Sequence, residues 1–256
     1  MHFAVIAHRF DRPKTRSYNK RVAPDWRAVL KKRRALLFLA PLLLAALLLP
    51  KEERRAVSTQ QAPITLVIDA GHGGIDCGAL GLDGTRESDL NLAVALRLCV
   101  LAELYGQNCV MIREDDSSKS DTEAYSEHRD LVCRAELTNA VERPVYISIH
   151  QNTYPTGQPS GPQVIYAAGE ESERLGALTH ANLLKSLYPS CRRVAEPASK
   201  RLYVLSHVSC PAILVECGFL SNTIDLENLK KPGFQTALAG VIMASFLQFQ
   251  SNTVRI

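Results

Sequence analysis

Apolar residues along this chain fall into short, nearly unbroken runs separated by longer stretches of helical periodicity. Ile64, Leu66, Val67 and Ile68 form one run, and Asn108–Arg113, Val145–His150 (VYISIH) and Ile213–Cys217 (ILVEC) form three more. Runs of this length, rich in β-favouring residues, read as strands buried on both faces. Shorter strands are expected at Gln163–Ala167 and Leu202–Leu205. Between them, Ser88–Tyr105 (stopped by Gly106), Glu127–Val141 and Glu170–Leu187 read as helices. Pro232 opens a last helix whose Phe234, Leu238, Val241, Ile242 and Phe249 form the stripe of a helix packed on a sheet. In the helix over 88–105 the polar residues Asn91, Arg97 and Glu103 point in different directions, so burial nearly all round is expected. Glu114–Glu123 and the proline-rich Gln151–Pro162 are loops. Strands alternating with helices predict an α/β fold, a largely parallel twisted sheet flanked by helices, in a single domain over residues 63–252. In such sheets, sites form at the carboxyl ends of the strands.

The amino-terminal quarter follows a different pattern. Residues 1–34 lack hydrophobic periodicity and hold eleven Lys or Arg against two Asp, which reads as a basic cytoplasmic tail. The uncharged run Ala35–Pro50 follows, bounded by Lys31–Arg34 and by the charged residues 51–55. Sixteen helical residues would span about 24 Å of a hydrocarbon core of about 30 Å, a shortfall that flanking Lys and Arg can cover. The alternative is a cleaved signal peptide, but Leu48-Leu49-Pro50 is not a small-x-small cleavage site, and Ala56-Val57-Ser58 lies beyond five charged residues. The expected organisation is therefore a transmembrane signal anchor over 35–50, a linker over 51–62, and the domain outside the cytoplasm.

Charge and cysteine content refine this picture. The total net charge of +4 comes from the tail and its flank, and residues 56–256 carry −6, so the basic excess is no argument for nucleic acid as a partner. The seven cysteines lack C-x-x-C spacing and lie in apolar segments, which reads as small buried hydrophobes rather than a disulfide framework. Several free thiols outside the cytoplasm would hint at a reducing or anaerobic setting.

Candidate chemistry sits at the strand ends. Ile64–Ile68 runs into Asp69-Ala70-Gly71-His72-Gly73-Gly74, where Asp69 and Gly71 stop the strand and the glycines clear space around His72. A second strand ends in His150, a third carries Glu216 in an otherwise apolar run, and Glu87 stands where the loop after His72 enters its helix. Two imidazoles and one carboxylate (His72, Glu87, His150) match the three-ligand pattern of hydrolytic zinc, with Glu216 left as the base for a water. Each residue also has an ordinary reading: a strand-end histidine as a rim residue, Glu87 as a carboxylate complementing a helix dipole. Glu216 is harder to dismiss, because an ionised carboxylate in an apolar strand is costly without a partner. No P-loop, dinucleotide fingerprint or G-x-S-x-G elbow is present, and the neighbours of Cys217 do not mark it as a nucleophile.

Taken together, Ile68–Gly74, Glu87, Ser148–Asn152 and Leu214–Asn222 (LVECGFLSN) resemble the zinc-dependent N-acetylmuramoyl-L-alanine amidases over residues 64–250. The resemblance implies one Zn²⁺ and hydrolysis of the amide joining N-acetylmuramic acid to L-alanine in peptidoglycan. His72, Glu87 and His150 match the family's metal ligands, and Glu216 matches its catalytic glutamate. Ser160–Tyr166, Arg134 with Asn139, and the single anchor look most like the germination-specific members of endospore formers, which implies muramic lactam formation in spore cortex. Thr153 and Ala70 depart from the family pattern, which usually has alanine and proline there; the departure bears on substrate preference. Asn152 and Arg134 are candidate substrate or supporting contacts, against ordinary readings as a loop cap and a helix-surface ion pair. His207 is a candidate rim residue, and His2, His8, His128 and His180 are expected to be solvated. The expected partners are peptidoglycan and, through residues 35–50, the membrane; a regulatory protein is left open. Two other readings are a catalytically silent wall-binding module and a zinc peptidase or carboxypeptidase on wall peptides.

Overall fold

The structure is a computed structural model that describes residues 62–120 and 125–253. The basic tail, the expected span at 35–50 and nearly all of the linker lie outside the described residues. Among the described residues, no helix is long and apolar enough to cross a membrane.

Strands β1 (Thr65–Ala70), β2 (Asn108–Met111), β3 (Pro144–Asn152), β4 (Gln163–Tyr166), β5 (Glu196–Pro197) and β6 (Ala212–Phe219) form one sheet in the order β2-β1-β3-β6-β4-β5. Every neighbouring pair is parallel except β4 with β6, so the sheet is largely parallel with one reversal. The helices are α1 (Glu87–Leu104), α2 (Glu127–Asn139), α3 (Glu170–Leu187), α4 (Tyr203–His207), α5 (Thr223–Leu229) and α6 (Pro232–Thr253).

The period-2 alternation of the strands sorts their side chains into two unlike faces. Leu66, Ile68 and Ala70, then Val145, Ile147 and Ile149, then Ile213, Val215 and Cys217 join one cluster with side chains of α1, α3 and α6. The intervening residues, Val67, Tyr146, Ala212 and Leu214, meet a smaller cluster that includes Ala135 of α2 and Val204 and Leu205 of α4. Asp69, Ser148, His150 and Glu216 fall on this second alternation, beyond its apolar members and toward the carboxyl ends. One face thus supplies the larger apolar core and the other carries the polar groups. β1 also lies between β2 and β3, so the chain leaves it to one side and later returns on the other, the arrangement that opens a crevice at the strand ends.

Four expectations change. The segment Leu202–Leu205 is not a strand but the N-cap and first three residues of α4, because a short apolar run looks alike in either state. Asp69 does not stop β1; it is buried within the strand, which continues to Ala70. Helix α1 is not covered all round, since Leu96, Val100 and Leu104 form an exposed stripe at four-residue spacing on the side turned from the sheet and α6. Among the cysteines only Cys217 is buried, the other six being half-buried.

Candidate metal centre

Three backbone features bring His72, Glu87 and His150 together. First, β1 ends at Ala70, and the chain turns through Gly71 into His72, whose φ of 61° is a left-handed conformation uncommon for a side-chain-bearing residue. A tight turn follows: Gly73 N–H donates to the Asp76 carbonyl at 2.8 Å, and Asp76 N–H returns to Gly73 at 3.2 Å. Second, Gly71 lies against the His150 ring so closely that a Cβ there would stand 2.2 Å from its Nε2, so only glycine lets strand β1 and the imidazole of β3 approach. Third, α1 begins at Glu87 and delivers its carboxylate under both rings.

The resulting geometry is compact. Glu87 Oε1 lies 3.3 Å from His72 Nε2 and 3.0 Å from His150 Nδ1, and the ligand atoms of the three residues all lie within 4.8 Å of one another. Ligand atoms bound about 2.1 Å from a tetrahedral zinc stand about 3.4 Å apart, so the donor set fits that ion in both chemistry and spacing. The remaining polar atoms are oriented. Asp76 Oδ2 sits 2.7 Å from His72 Nδ1, which leaves Nε2 aimed at the cluster. Glu87 Oε2 accepts from Ala79 N–H at 2.9 Å, and its Oε1 also accepts from Gln151 N–H and Asn91 Nδ2. Burial works against the charge of Glu87, but hydrogen bonds and charge from His150 and His72 hold its carboxyl far below the usual range. Burial likewise opposes protonation of His72, yet Glu87 and Asp76 raise it to about 9. A metal ion here would have to displace that proton, because an imidazole ligates only in its neutral form.

Glu216 stands beside this cluster rather than in it. Parallel pairing of β3 with β6 sets His150 directly against Glu216, yet Glu216 is not one of the clustered ligands. Its Oε2 is buried without a hydrogen-bond partner, and burial, reinforced by Glu87 and opposed by His150 and His72, pushes the carboxyl up to about 7. A cavity of about 170 Å³ adjoins the histidines on the polar face of the sheet. Asp69, His72, Tyr125, Arg134, His150 and Tyr203 are among its lining residues.

The other candidates are placed as follows. Arg134 is not a surface ion pair, and it lines the cavity that the two histidines share. It is buried, ion-paired with Asp69 and Asp130, and donates from Nη2 to the His72 carbonyl at 2.7 Å and from Nη1 to the Ala70 carbonyl at 3.0 Å. Asn152 ends β3 with its Oδ1 accepting from Thr153 N–H at 2.7 Å, the loop-cap arrangement. His207 is exposed, stacked on Tyr203 with ring centroids 3.8 Å apart, and is not among the residues lining the cavity. His180 is not solvated but buried in α3.

Residues that reading the chain did not single out also shape the site. Arg113 is 1% exposed and donates only to main-chain carbonyls: Ala70 at 2.7 Å, Gly71 at 3.0 Å, Ser88 at 2.9 Å and Asp115 at 2.8 Å. Its signal was a cation closing the apolar run of β2. Asp76, Asn91 and Gln151 left no such trace, because each matters only through a partner that folding brings near.

A family profile described as N-acetylmuramoyl-L-alanine amidase matches residues 66–247. The germination-specific N-acetylmuramoyl-L-alanine amidase of Bacillus subtilis is 33% identical over 192 residues, covering 72% of this chain and 78% of that protein. The CwlD amidase of Clostridioides difficile, solved in complex with the GerS lipoprotein, superposes with a TM-score of 0.70 at 32% identity, over 73% of this chain and 98% of that one. The amidase AmiC2 of Nostoc punctiforme superposes with a TM-score of 0.63 at 28% identity, over 73% and 97%. A profile match across both histidine-bearing strands, with a like fold around them, makes this chain a member of the N-acetylmuramoyl-L-alanine amidase family and an enzyme of that class.

Proposed function

We propose that the protein hydrolyses the amide between N-acetylmuramic acid and L-alanine in peptidoglycan as a zinc enzyme, with His72, Glu87 and His150 as the ligands and Glu216 as the base. The observation that carries this reading is the pairing of a compact His-Glu-His cluster with a carboxylate on the neighbouring strand whose Oε2 is buried without a hydrogen-bond partner. Zinc, when bound, supplies Lewis acidity toward the scissile carbonyl and the attacking water. The chain's own residues do the rest. Glu216 takes a proton from the water as its oxygen adds to the lactyl carbonyl carbon. It then gives that proton to the alanine nitrogen as the C–N bond breaks. Asp76 holds His72 in one tautomer, and the cavity beside the histidines receives the substrate.

The role we assign is spore cortex maturation, in which removal of the stem peptide prepares muramic lactam and so permits germination. The likeness to the Bacillus subtilis germination-specific enzyme supports it. The apolar run over 35–50 supports tethering to the membrane with the domain outside the cytoplasm. The relative solved with a lipoprotein supports a protein partner here.

Two experiments test these assignments. Purified peptidoglycan treated with the zinc-loaded full chain should release stem peptides beginning with a free L-alanine amine, read by mass spectrometry. Products cut within the stem peptide would instead identify a peptidase. A deletion strain should form spores whose cortex lacks muramic lactam, and normal cortex would move the enzyme to vegetative wall turnover.

A further inference from the structure

Cys99 of α1 and Cys109 of β2 meet between the helix and the edge strand, with their sulfurs 3.1 Å apart. The fold aims them at each other. Along β2, Asn108 and Val110 are exposed while Cys109 and Met111 pack against the core cluster under α1. Cys99 follows Leu98 and precedes Ala102 by three residues, both of which α1 buries. Gly106, at a φ of 66°, turns the chain back so that the last turns of α1 lie against the strand that follows.

We propose that Cys99 and Cys109 are a site of disulfide formation, which cross-links α1 to β2 when the domain meets an oxidant of the disulfide class, such as glutathione disulfide. The two sulfurs already meet from separate elements, so a bridge needs them to close from 3.1 Å to about 2 Å. Both side chains are half-buried rather than sealed, so an oxidant reaches them. Burial and the neighbouring Cys99 thiol push the Cys109 thiol well above its ordinary range, so Cys109 rests protonated and gives up its proton as it reacts. The His-Glu-His cluster includes neither cysteine.

The exchange balances without any further reagent. One protein thiolate attacks a sulfur of glutathione disulfide, that S–S bond breaks, and one glutathione leaves. The second protein thiolate attacks the protein sulfur of the mixed disulfide and expels the other glutathione. Two protein thiols are oxidised to one S–S bond, one glutathione disulfide is reduced to two thiols, and the two protons pass to them.

The bridge has a structural consequence. β2 is an edge strand paired only with β1, and the chain continues from it into Arg113, the side chain that holds the carbonyls of Ala70 and Gly71. Pinning β2 to α1 secures the support of the loop that carries His72. This inference stands apart from the amidase reading, since it concerns cysteines outside the site.

Trypsin releases both cysteines in one peptide, Leu98–Arg113, because no Lys or Arg lies between them. The zinc-loaded full chain is equilibrated with glutathione disulfide, quenched with acid, and alkylated after denaturation. The expected peptide is lighter than the dithiol form by two hydrogens and carries no alkyl group until it is reduced. The oxidised protein should also melt on the order of 5 °C above the reduced one, a difference that disappears in Cys109→Ser. A peptide with both cysteines alkylated, each carrying glutathione, or either joined to another cysteine would overturn the site. A bridge that leaves the midpoint unchanged would overturn its role in securing β2.

Discussion

At the scale of single residues, His72 and Glu216 should fail for different reasons. His72 supplies one of three clustered ligand atoms, whereas the Glu216 carboxylate lies outside that cluster. His72→Ala should therefore lose zinc, and activity with it. Glu216→Gln keeps the shape and removes the proton acceptor, so it should stay folded and zinc-loaded while amide cleavage falls by about 10² to 10⁴. Metal analysis beside hydrolysis of a purified muropeptide separates the two. Loss of zinc from Glu216→Gln would make that residue a ligand, and full activity would put the base elsewhere. His180 offers a residue-scale effect of another kind. Its burial, helped by the charge of Arg193 and opposed by that residue's main chain and by Glu196, lowers its affinity for protons below the ordinary value of 6.5. The unfolded chain then binds the proton more readily, so stability should be level above about pH 6.5 and fall as the pH drops below it. Urea unfolding of wild type and His180→Asn across pH 8 to 5 should show a steeper decline in wild type; parallel curves would exclude this histidine as the source.

At the scale of elements, the site depends on what binds the loop after β1. Arg113 satisfies main-chain oxygens of β1, the His72 loop and the first turn of α1 at once, and Arg134 reaches the same loop from α2. An unsatisfied buried acceptor costs about 1–3 kcal/mol, so Arg113→Met should destabilise the domain by about 3 kcal/mol and weaken zinc binding. Urea unfolding and zinc titration would measure both, and a loss below about 1 kcal/mol would show that water replaces the guanidinium. The element reading of the chain failed at small scale and succeeded at large. A four-residue apolar run at 202–205 carries no periodicity long enough to tell strand from helix. The two-residue β5 and the short α5, capped by Asn222 accepting from Ile224 N–H at 3.0 Å, are stabilised by contacts and caps more than by pattern. The long helices and the buried strands were legible because many residues repeat the same signal.

At the scale of the whole molecule, the larger helices α1, α3 and α6 share one face of the sheet and leave the polar alternation of the other face to α2, α4 and the cavity. What the sequence by itself determined is the residue types and their order. Histidines at two strand ends, a carboxylate opening a helix and a glutamate in an apolar strand follow from local pattern, and the family follows from their succession. Only the tertiary structure decided which polar groups serve which. Parallel register sets His150 beside Glu216, and one turn sets Asp76 on His72. Arg134 of α2 reaches Asp69 across 65 residues, and Cys99 lies against Cys109. The physical reason is that a side chain's period and propensity are set by its near neighbours in the chain. Its hydrogen-bond partner, its desolvation and its proton affinity are set by neighbours in space, which exist only once the sheet has formed.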